Sequence, residues 1–230
     1  MKTIGLIGGM SWQSSKLYYE FLNTRANELL GGSHSAKCIL VSVDFAEIER
    51  LSFENKWEDI GVLMANSAKQ LEKAGADIVL LGTNTIHLVS DAITENISIP
   101  FLHIAEATGE VIQKKGLKKV LLLGTKFTME KNFYTKLLED IYGLEVMIPE
   151  IDDRQLVHDI IYNELVKGKF LDTSRKRIIE IIKKEQSKGA QGVILGCTEL
   201  PILIAPSDVE IPTFDTGKIH AHKAMEWANE

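Results

Sequence analysis

Short runs of consecutive apolar residues alternate along the chain with longer segments in which apolar residues recur every three or four positions. Runs of the first kind are typical of strands buried in parallel sheets, and the second pattern is typical of amphipathic helices. In the first part of the chain the predicted strands are residues 3–7, 38–43, 77–81 and 99–104. Predicted helices lie between them, at about 13–30, 60–71 and up to about 96.

From about residue 106 the same alternation begins again. The predicted strands are residues 119–123, 145–148, 192–195 and 211–214, and the predicted helices are 129–141, 152–166, 172–188 and 216–228. Strands that alternate with helices of this length predict an α/β protein whose parallel sheets are covered on both faces. In such sheets, ligands bind beyond the carboxyl ends of the strands.

The chain also contains an internal repeat. Residues 75–83 (GADIVLLGT) and 189–197 (GAQGVILGC) are identical at five of nine positions, and residues 4–9 match 120–125 at nearly the same offset. Either these are ordinary strand-then-glycine segments alike by chance, or the chain has two similar halves. Because two similar halves usually face each other around a pseudo-twofold axis, we expect two parallel-sheet α/β domains with the active site in the cleft between them. Thr83 and Cys197 would then lie on opposite sides of that cleft.

Cys197 follows the apolar run Gly192-Val193-Ile194-Leu195, at the start of a segment that could open a short helix. Backbone N–H groups there favour negative charge. We therefore expect the pKa of the Cys197 thiol to be drawn down from about 8.5 toward roughly 3.5–7.5, which would give a thiolate at neutral pH. The alternative is that Cys197 is a small buried hydrophobe, as most free cysteines are.

Composition excludes several classes of protein. A net charge of −6 without a strong basic run argues against nucleic acid or an anionic membrane surface as a partner. Two cysteines, no signal peptide and no membrane-length apolar stretch predict a cytoplasmic protein. No spacing of His, Cys and Asp indicates a metal site, and His87, His103 and His220 are interpreted as structural histidines.

Two proton-handling groups on opposite faces of one carbon are the geometry of a cofactor-independent racemase. The sequence resembles the aspartate/glutamate racemase superfamily over nearly its whole length. The motifs that carry the resemblance are Gly8-Gly9-Met10-Ser11-Trp12, Thr83-Asn84-Thr85, residues 124–129 (GTKFTM) and Gly196-Cys197-Thr198-Glu199. The last is specific at its location, and the others are individually weak but occur in the right order.

The resemblance implies two similar α/β domains, with residues 1–104 plus 208–230 in the first and 105–207 in the second. It implies two catalytic cysteines, no pyridoxal phosphate, no metal and a homodimer. By the same match, Cys197 is the second catalytic cysteine and acts on the L face of the substrate, while Glu199 helps to set its protonation. The substrate's carboxylate and ammonium groups would be held by short polar side chains and nearby backbone, at Met10, Ser11, Asn84, Thr85, Thr125, Thr128 and Thr198. For Thr83, Asn84 and Thr128, helix capping is an equally good interpretation.

Thr83 departs from the family, which usually has its first cysteine at this position. A threonine hydroxyl loses its proton far less readily than a thiol and is a poor general base. The resulting hypothesis is that Cys197 exchanges the L-face α-proton of aspartate or glutamate readily, while Thr83, or a water it holds, serves the other face slowly. For the distal carboxylate the sequence offers Arg50, on a loop after Asp44-Phe45, and Lys167, although each is more often a surface charge.

Two other functions are compatible with the sequence. One is a decarboxylase of malonate-type acids, in which a single thiol protonates the carbanion left by CO₂. The polar run Thr83-Asn84-Thr85 argues against it, because that chemistry needs a less polar pocket for the leaving carboxylate. The other is a non-catalytic protein that binds acidic amino acids.

Overall fold

The computed structural model describes residues 1–230, which form two compact units. The first unit comprises Met1–Ile104 and Gly217–Glu230, and the second comprises Ala105–Thr216. Each unit contains its own parallel sheet. The predicted fold class, α/β with two parallel sheets, is confirmed. No helix of the chain is both long and apolar enough to cross a membrane.

Strands and helices alternate along the chain as the apolar pattern predicts. The strands are β1 (Ile4–Gly8), β2 (Cys38–Ser42), β3 (Ile78–Leu81), β4 (Lys119–Gly124), β5 (Glu145–Met147), β6 (Val193–Gly196) and β7 (Thr213–Asp215). The α-helices are α1 (Trp12–Leu30), α2 (Phe45–Phe53), α3 (Trp57–Lys73), α4 (Ser90–Thr94), α5 (Ile104–Lys114), α6 (Lys126–Glu130), α7 (Asn132–Tyr142), α8 (Ile151–Asn163), α9 (Asp172–Ser187), α10 (Leu200–Leu203) and α11 (Thr216–Ala228). Three short 3-10 helices cover Thr85–Val89, Leu165–Lys167 and Pro206–Asp208.

The two sheets share the order of their first three strands. The first has the order β2-β1-β3 and the second has the order β5-β4-β6-β7. In both, the first strand of the unit is central and the third pairs with it in parallel. Ile7 pairs with Leu81, and the residues aligned with them by the repeat, Leu123 and Leu195, also pair with each other. The sequence repeat is therefore a structural repeat with the same strand register.

Side chains along the strands of the first unit point alternately into two separate hydrophobic cores. Ile7 and Val79 belong to the core that contains α3, whereas Ile4 and Leu80 belong to the core that contains α1 and α11. Side chains of neighbouring strand residues point to opposite faces of a sheet, so both faces of this sheet are covered by helices. This two-sided burial explains why the strands appear in the sequence as unbroken apolar runs.

One predicted strand, 99–104, is not a strand in the structure. The segment makes a single isolated bridge between Phe101 and Val79, and Val79 N–H donates to Pro100 C=O. Pro100 has no N–H with which to extend the pairing, and α5 begins already at Ile104. The prediction was wrong because it relied on apolar content alone.

The C-terminal part of the chain is divided between the two units differently from the prediction, which placed residues 208–230 in the first unit and 105–207 in the second. Strand β7 pairs with β6 in the second sheet, Ile194 lying opposite Phe214. Only α11 belongs with the first unit, where Ala221 and Met225 are buried in the core that contains α1. The unit boundary therefore falls after Thr216, because the strand completes the second sheet.

Helix α2 replaces the loop that was expected after Asp44-Phe45. Asp44 caps the helix by accepting a hydrogen bond from Ala46 N–H at 3.1 Å. Arg50 therefore lies on a helix, where it is exposed and pairs with Glu54 four residues later at 3.1 Å. Its charge is already matched by that of a carboxylate on the same helix.

Candidate active site

Cys197 lies directly after β6, a completely buried strand between β4 and β7. Gly124 and Gly196 pair where β4 and β6 end, and a Cβ atom on Gly196 would lie only 2.8 Å from the carbonyl oxygen of Leu123. The glycine thus allows the two strand ends to approach closely. The chain then turns through Thr198 and Glu199 into α10, so the predicted strand-turn-helix around Cys197 is confirmed.

The Cys197 thiol donates a hydrogen bond to Glu199, with Sγ 3.0 Å from Oε2. Burial raises the pKa of this thiol well above its usual value, and the negative charge and hydrogen bond of Glu199 raise it further. Backbone N–H groups of Glu199 and Leu200 act in the opposite direction, as expected from the sequence, but they are outweighed. The expected low pKa was therefore wrong: burial and the neighbouring Glu199 shift the pKa of the thiol upward, not downward.

Glu199 is the only carboxylate that is hydrogen-bonded to Cys197, and the residue is buried, with 5% of its surface exposed. The same oxygen, Oε2, also accepts a hydrogen bond from the Thr198 hydroxyl at 2.8 Å. Thr198 is buried as well. With so little water around it, the side chain makes hydrogen bonds that are electrostatically stronger than they would be in solvent. The side chains of Cys197 and Thr198 are thus both hydrogen-bonded to one oxygen of Glu199.

Two further predicted residues, Thr125 and Thr128, lie together at the end of β4. Thr125 is the N-cap of α6, and its Oγ1 accepts a hydrogen bond from Thr128 N–H at 3.2 Å. The two hydroxyl oxygens are also 3.2 Å apart. Capping is therefore the observed role of Thr125, and Thr128 receives the cap rather than providing it. Both are buried, at a strand end adjacent to the one that precedes Cys197.

In the first unit, Thr83 follows β3 as Cys197 follows β6, and it is half-buried. Its N–H donates to Leu81 C=O at 2.9 Å. Asn84 and Thr85 are buried at the start of the 3-10 helix Thr85–Val89, and the Asn84 side chain makes no capping hydrogen bond to it. Capping, the alternative interpretation of these residues, is thus absent at Asn84.

Met10 and Ser11 lie at the end of β1, the strand next to β3, and both are buried. Ser11 is the N-cap of α1, and its Oγ accepts from Ser14 N–H at 3.3 Å. Gly9 has a φ of +94°, and a Cβ atom there would collide with the backbone of Val43. The turn therefore needs glycine, and it presents Met10 and Ser11 at the strand end.

His87, His103 and His220 form a buried cluster in the first unit, with the His87 and His103 ring centroids 4.5 Å apart. The Tyr18 hydroxyl is 2.9 Å from His220 Nδ1, and His220 Nε2 is 2.8 Å from the carbonyl oxygen of Leu102. Burial lowers the pKa of His103 to about 4 and that of His220 to about 3. Burial therefore favours the neutral form of these histidines, as expected for structural histidines.

One contact of this cluster was not predicted from the sequence. His87 Nδ1 lies 2.7 Å from the carbonyl oxygen of Thr83, a predicted catalytic residue. The signal that could have revealed it is the separation of four residues, at which a polar side chain can reach the backbone carbonyl one turn earlier in the chain. Lys167, by contrast, ends a 3-10 helix as an exposed residue. No group of three or more His, Cys, Asp and Glu side chains has the geometry of a metal site.

Each unit thus carries short polar side chains beyond the carboxyl ends of its first and third strands, where α/β sheets bind ligands. Only the second unit adds a thiol and a carboxylate in hydrogen-bond contact. Hydroxyl and amide groups suit a ligand with carboxylate and ammonium groups, and a thiol next to a carboxylate can accept or donate a proton. The fold and these groups are those of an α/β enzyme that performs proton transfer.

Comparison with known proteins agrees with an α/β enzyme that performs proton transfer. The sequence matches the profile of the Asp/Glu/Hydantoin racemase family over residues 7–224. It is 26% identical over 222 residues to the broad specificity amino-acid racemase RacX of Bacillus subtilis, covering 93% of this chain and 92% of that protein. The chain belongs to the Asp/Glu/hydantoin racemase family. Membership assigns it to the amino-acid racemases, which are isomerases acting on amino acids.

Solved structures agree over the full length of the chain. A candidate Asp/Glu racemase from Yersinia pestis is 45% identical, with a TM-score of 0.94 and complete coverage of both chains. An aspartate racemase homologue from Pyrococcus horikoshii is 38% identical, with a TM-score of 0.87 and complete coverage of both chains. The resemblance found in the sequence motifs is confirmed at the level of the family.

Proposed function

We propose that the chain racemises aspartate, glutamate or both, with Cys197 exchanging the α-proton on the L face and Thr83 serving the opposite face. The observation that carries the proposal is the contact between Cys197 Sγ and Glu199 Oε2 at 3.0 Å, which pairs a partly buried thiol with a proton acceptor. Thr83 occupies the equivalent position after β3 in the other half of the repeat. The proposal requires one substrate molecule to reach both residues.

The first step needs a thiolate, although the thiol is the resting form. Glu199 accepts the thiol proton through its existing hydrogen bond, and the positive charge of the substrate ammonium group favours the thiolate that remains. Cys197 Sγ then removes the α-proton of the L substrate and becomes a thiol again. The electron pair of the broken C–H bond stays on the substrate as a carbanion.

The second step returns a proton from the other side. Thr83 Oγ1–H, or a water that it holds, donates a proton to the α-carbon. Thr83 then regains a proton from solvent, and Glu199 releases to solvent the proton that it took from Cys197, which restores the resting state. Thr125, Thr128, Thr198, Asn84 and Thr85 supply the hydrogen-bond donors that hold the substrate's carboxylate and stabilise the carbanion. The Cα–H of an amino acid is a very weak acid, so several fixed donors are needed to make its ionisation accessible.

Thr83 sets the rate of inversion and not its direction. Racemisation has an equilibrium constant near unity, so the same barrier applies to both enantiomers at equal concentration. A hydroxyl is a much weaker acid than a thiol, and proton delivery on the Thr83 face is expected to be the slower step. Exchange of the L substrate's α-proton with solvent should therefore outrun inversion.

The test is proton NMR of the purified protein in D₂O, with L- and D-aspartate and L- and D-glutamate supplied separately. Loss of the α-proton signal reports exchange, and optical rotation of the same sample reports inversion. Rapid exchange of an L substrate with slower inversion is expected, and the faster substrate identifies the preferred amino acid. Absence of exchange with all four would refute the proposal.

Three variants assign the roles. Cys197→Ser is expected to abolish exchange of the L substrate, because a hydroxyl cannot replace the thiol as the base. Thr83→Cys is expected to speed inversion more than it speeds L-face exchange. Cys38→Ser is the matched control, since Cys38 lies in β2 and has no role in the proposal. Retained exchange in Cys197→Ser would contradict the assignment of Cys197.

A further inference from the structure

His87 makes two hydrogen bonds to backbone groups, one with each ring nitrogen. Nδ1 lies 2.7 Å from the Thr83 carbonyl oxygen, and Nε2 lies 3.2 Å from the backbone nitrogen of Ile104. A carbonyl oxygen can only accept a hydrogen bond, and a backbone N–H can only donate one. The proton of the neutral ring therefore sits on Nδ1, and Nε2 accepts from Ile104. One tautomer satisfies both contacts.

The surroundings hold His87 in this neutral state. The side chain is completely buried, and the ring centroids of Phe101, His103 and His220 lie 5.6, 4.5 and 5.9 Å away. Burial lowers the pKa of His87 well below its usual value, and His103 and His220 lower it further. The carbonyl groups of Thr83 and Asn84 oppose this effect without reversing it. A charged ring could not accept the Ile104 N–H.

The backbone of Thr83 is thereby held on both sides. Its N–H donates to Leu81 C=O at 2.9 Å, and its C=O accepts from His87. With both neighbouring peptide groups fixed, rotation about Cα–Cβ is the freedom left to the Thr83 side chain. Catalytic groups lose much of their effect when they are displaced, and a shift of about 1 Å can cost about 100-fold in rate.

We infer that His87 is a positioning residue, which through its Nδ1–H bond to the Thr83 carbonyl directs the Thr83 hydroxyl toward the substrate's α-carbon. The inference rests on the proposed function and deepens it. It differs from a purely structural role, because a positioning residue acts on one face of the substrate only. Loss of the Nδ1 donor should impair the step that Thr83 performs and spare the proton exchange performed by Cys197.

Two substitutions separate the ring nitrogens. In His87→Asn the side-chain amide can donate from near the position of Nδ1, whereas in His87→Gln the amide reaches the position of Nε2 instead. We expect His87→Gln to slow inversion about 10- to 100-fold while L-face exchange stays within about twofold of the wild type. His87→Asn is expected to retain inversion within about threefold.

Tyr18→Phe is the matched control. It removes the hydrogen bond to His220 Nδ1 at another point of the same cluster and leaves His87 and Thr83 unchanged. Its ratio of inversion to exchange is expected to equal that of the wild type. If His87→Gln and His87→Asn lower exchange and inversion in equal proportion, the role of His87 is structural and the inference is wrong. If the wild type shows no exchange at all, it is the proposed function that fails.

A second measurement needs no variant. Long-range ¹H–¹⁵N correlation spectra of the wild-type protein distinguish the two neutral tautomers of histidine by the pattern of their ring nitrogens. His87 is expected to show the Nδ1–H tautomer throughout the pH range in which the protein is folded. The Nε2–H tautomer, or a ring that is protonated near neutral pH, would overturn the inference even if the variants failed to fold.

Discussion

Glu199→Gln tests the electrostatic account of Cys197 directly. The substitution keeps the size of the side chain and an oxygen that can accept the thiol's hydrogen bond, but it removes the negative charge 3.0 Å from Sγ. Because that charge raises the pKa of the thiol, the pKa of Cys197 should fall in the variant. More thiolate is then present at any pH below the pKa.

The size of the effect follows from the hydrogen bond that is weakened. A hydrogen bond to a charged group contributes about 1.5–3 kcal/mol and one to a neutral group about 0.5–1.5 kcal/mol, a difference of about 1–1.5 kcal/mol. That difference corresponds to about a 5- to 12-fold larger thiolate fraction. A thiolate of lower pKa is also a weaker nucleophile, which reduces the net gain to about 2.5- to 4-fold.

Alkylation with iodoacetamide measures this gain. The rate at Cys197 is followed by mass spectrometry of its peptide between pH 6 and 9, where an about 2.5- to 4-fold increase is expected in Glu199→Gln. Cys38 provides the internal control, because burial raises the pKa of its thiol as well and no carboxylate contributes to that shift. Equal rates at Cys38 in both proteins show that the fold is unchanged.

The opposite result would refute the reasoning. If alkylation of Cys197 slows in Glu199→Gln, then Glu199 acts in the resting protein as the base that ionises the thiol, and the pair exists as a thiolate and a carboxylic acid. An unchanged rate would mean that burial alone sets the protonation of Cys197. Proton exchange of the L substrate should fall in the variant in either case, because the proposed acceptor of the thiol proton is lost.

Three further predictions concern stability. The folded pKa values of His103 and His220, about 4 and about 3, lie below the usual 6.5. Above about pH 6.5 these histidines are neutral in both the folded and the unfolded chain, whereas below that pH the unfolded chain binds protons that the folded protein does not. The free energy of unfolding in urea should therefore fall below pH 6.5 by up to about 1.4 kcal/mol per pH unit for each histidine. A rise in this free energy toward pH 5 would contradict the account. Gly143→Ala, at a φ of +61° that ends α7 with no atom within 4 Å of the new Cβ, should cost about 1–2 kcal/mol by urea denaturation. Leu195→Ala, at a residue 1% exposed beside β4, should cost about 2–5 kcal/mol in the same assay, and a loss below 1 kcal/mol would show that the core collapses around the cavity.

Much of the fold could be predicted because parallel strands buried on both faces are apolar throughout. The repeat in the sequence aligns the run around Leu81 with the run around Leu195, and both are strands in the structure. The segment 99–104 failed because apolar content does not reveal whether a strand has a partner. Helix α2 was missed because its nine residues are too few to show a clear helical period, and its start depends on one capping aspartate, Asp44.

The positions of the site residues could be predicted more readily than their chemical states. Motif spacing placed Cys197, Thr125 and Ser11 at strand ends, where the structure has them. The protonation of Cys197 could not be predicted, because it depends on whether Glu199 turns toward the sulfur or away from it. The same holds for His87, whose role depends on which backbone carbonyl its ring meets.

The shared register of β3 and β6 has a consequence for stereochemistry. The alignment that equates Thr83 with Cys197 also equates Asn84 with Thr198 and Thr85 with Glu199. Two copies of one framework therefore differ in the groups that handle protons, and only one copy has a sulfur with a carboxylate two residues later. Under the proposed function, the choice of which mirror-image substrate loses its α-proton quickly is encoded in a tripeptide on a duplicated scaffold.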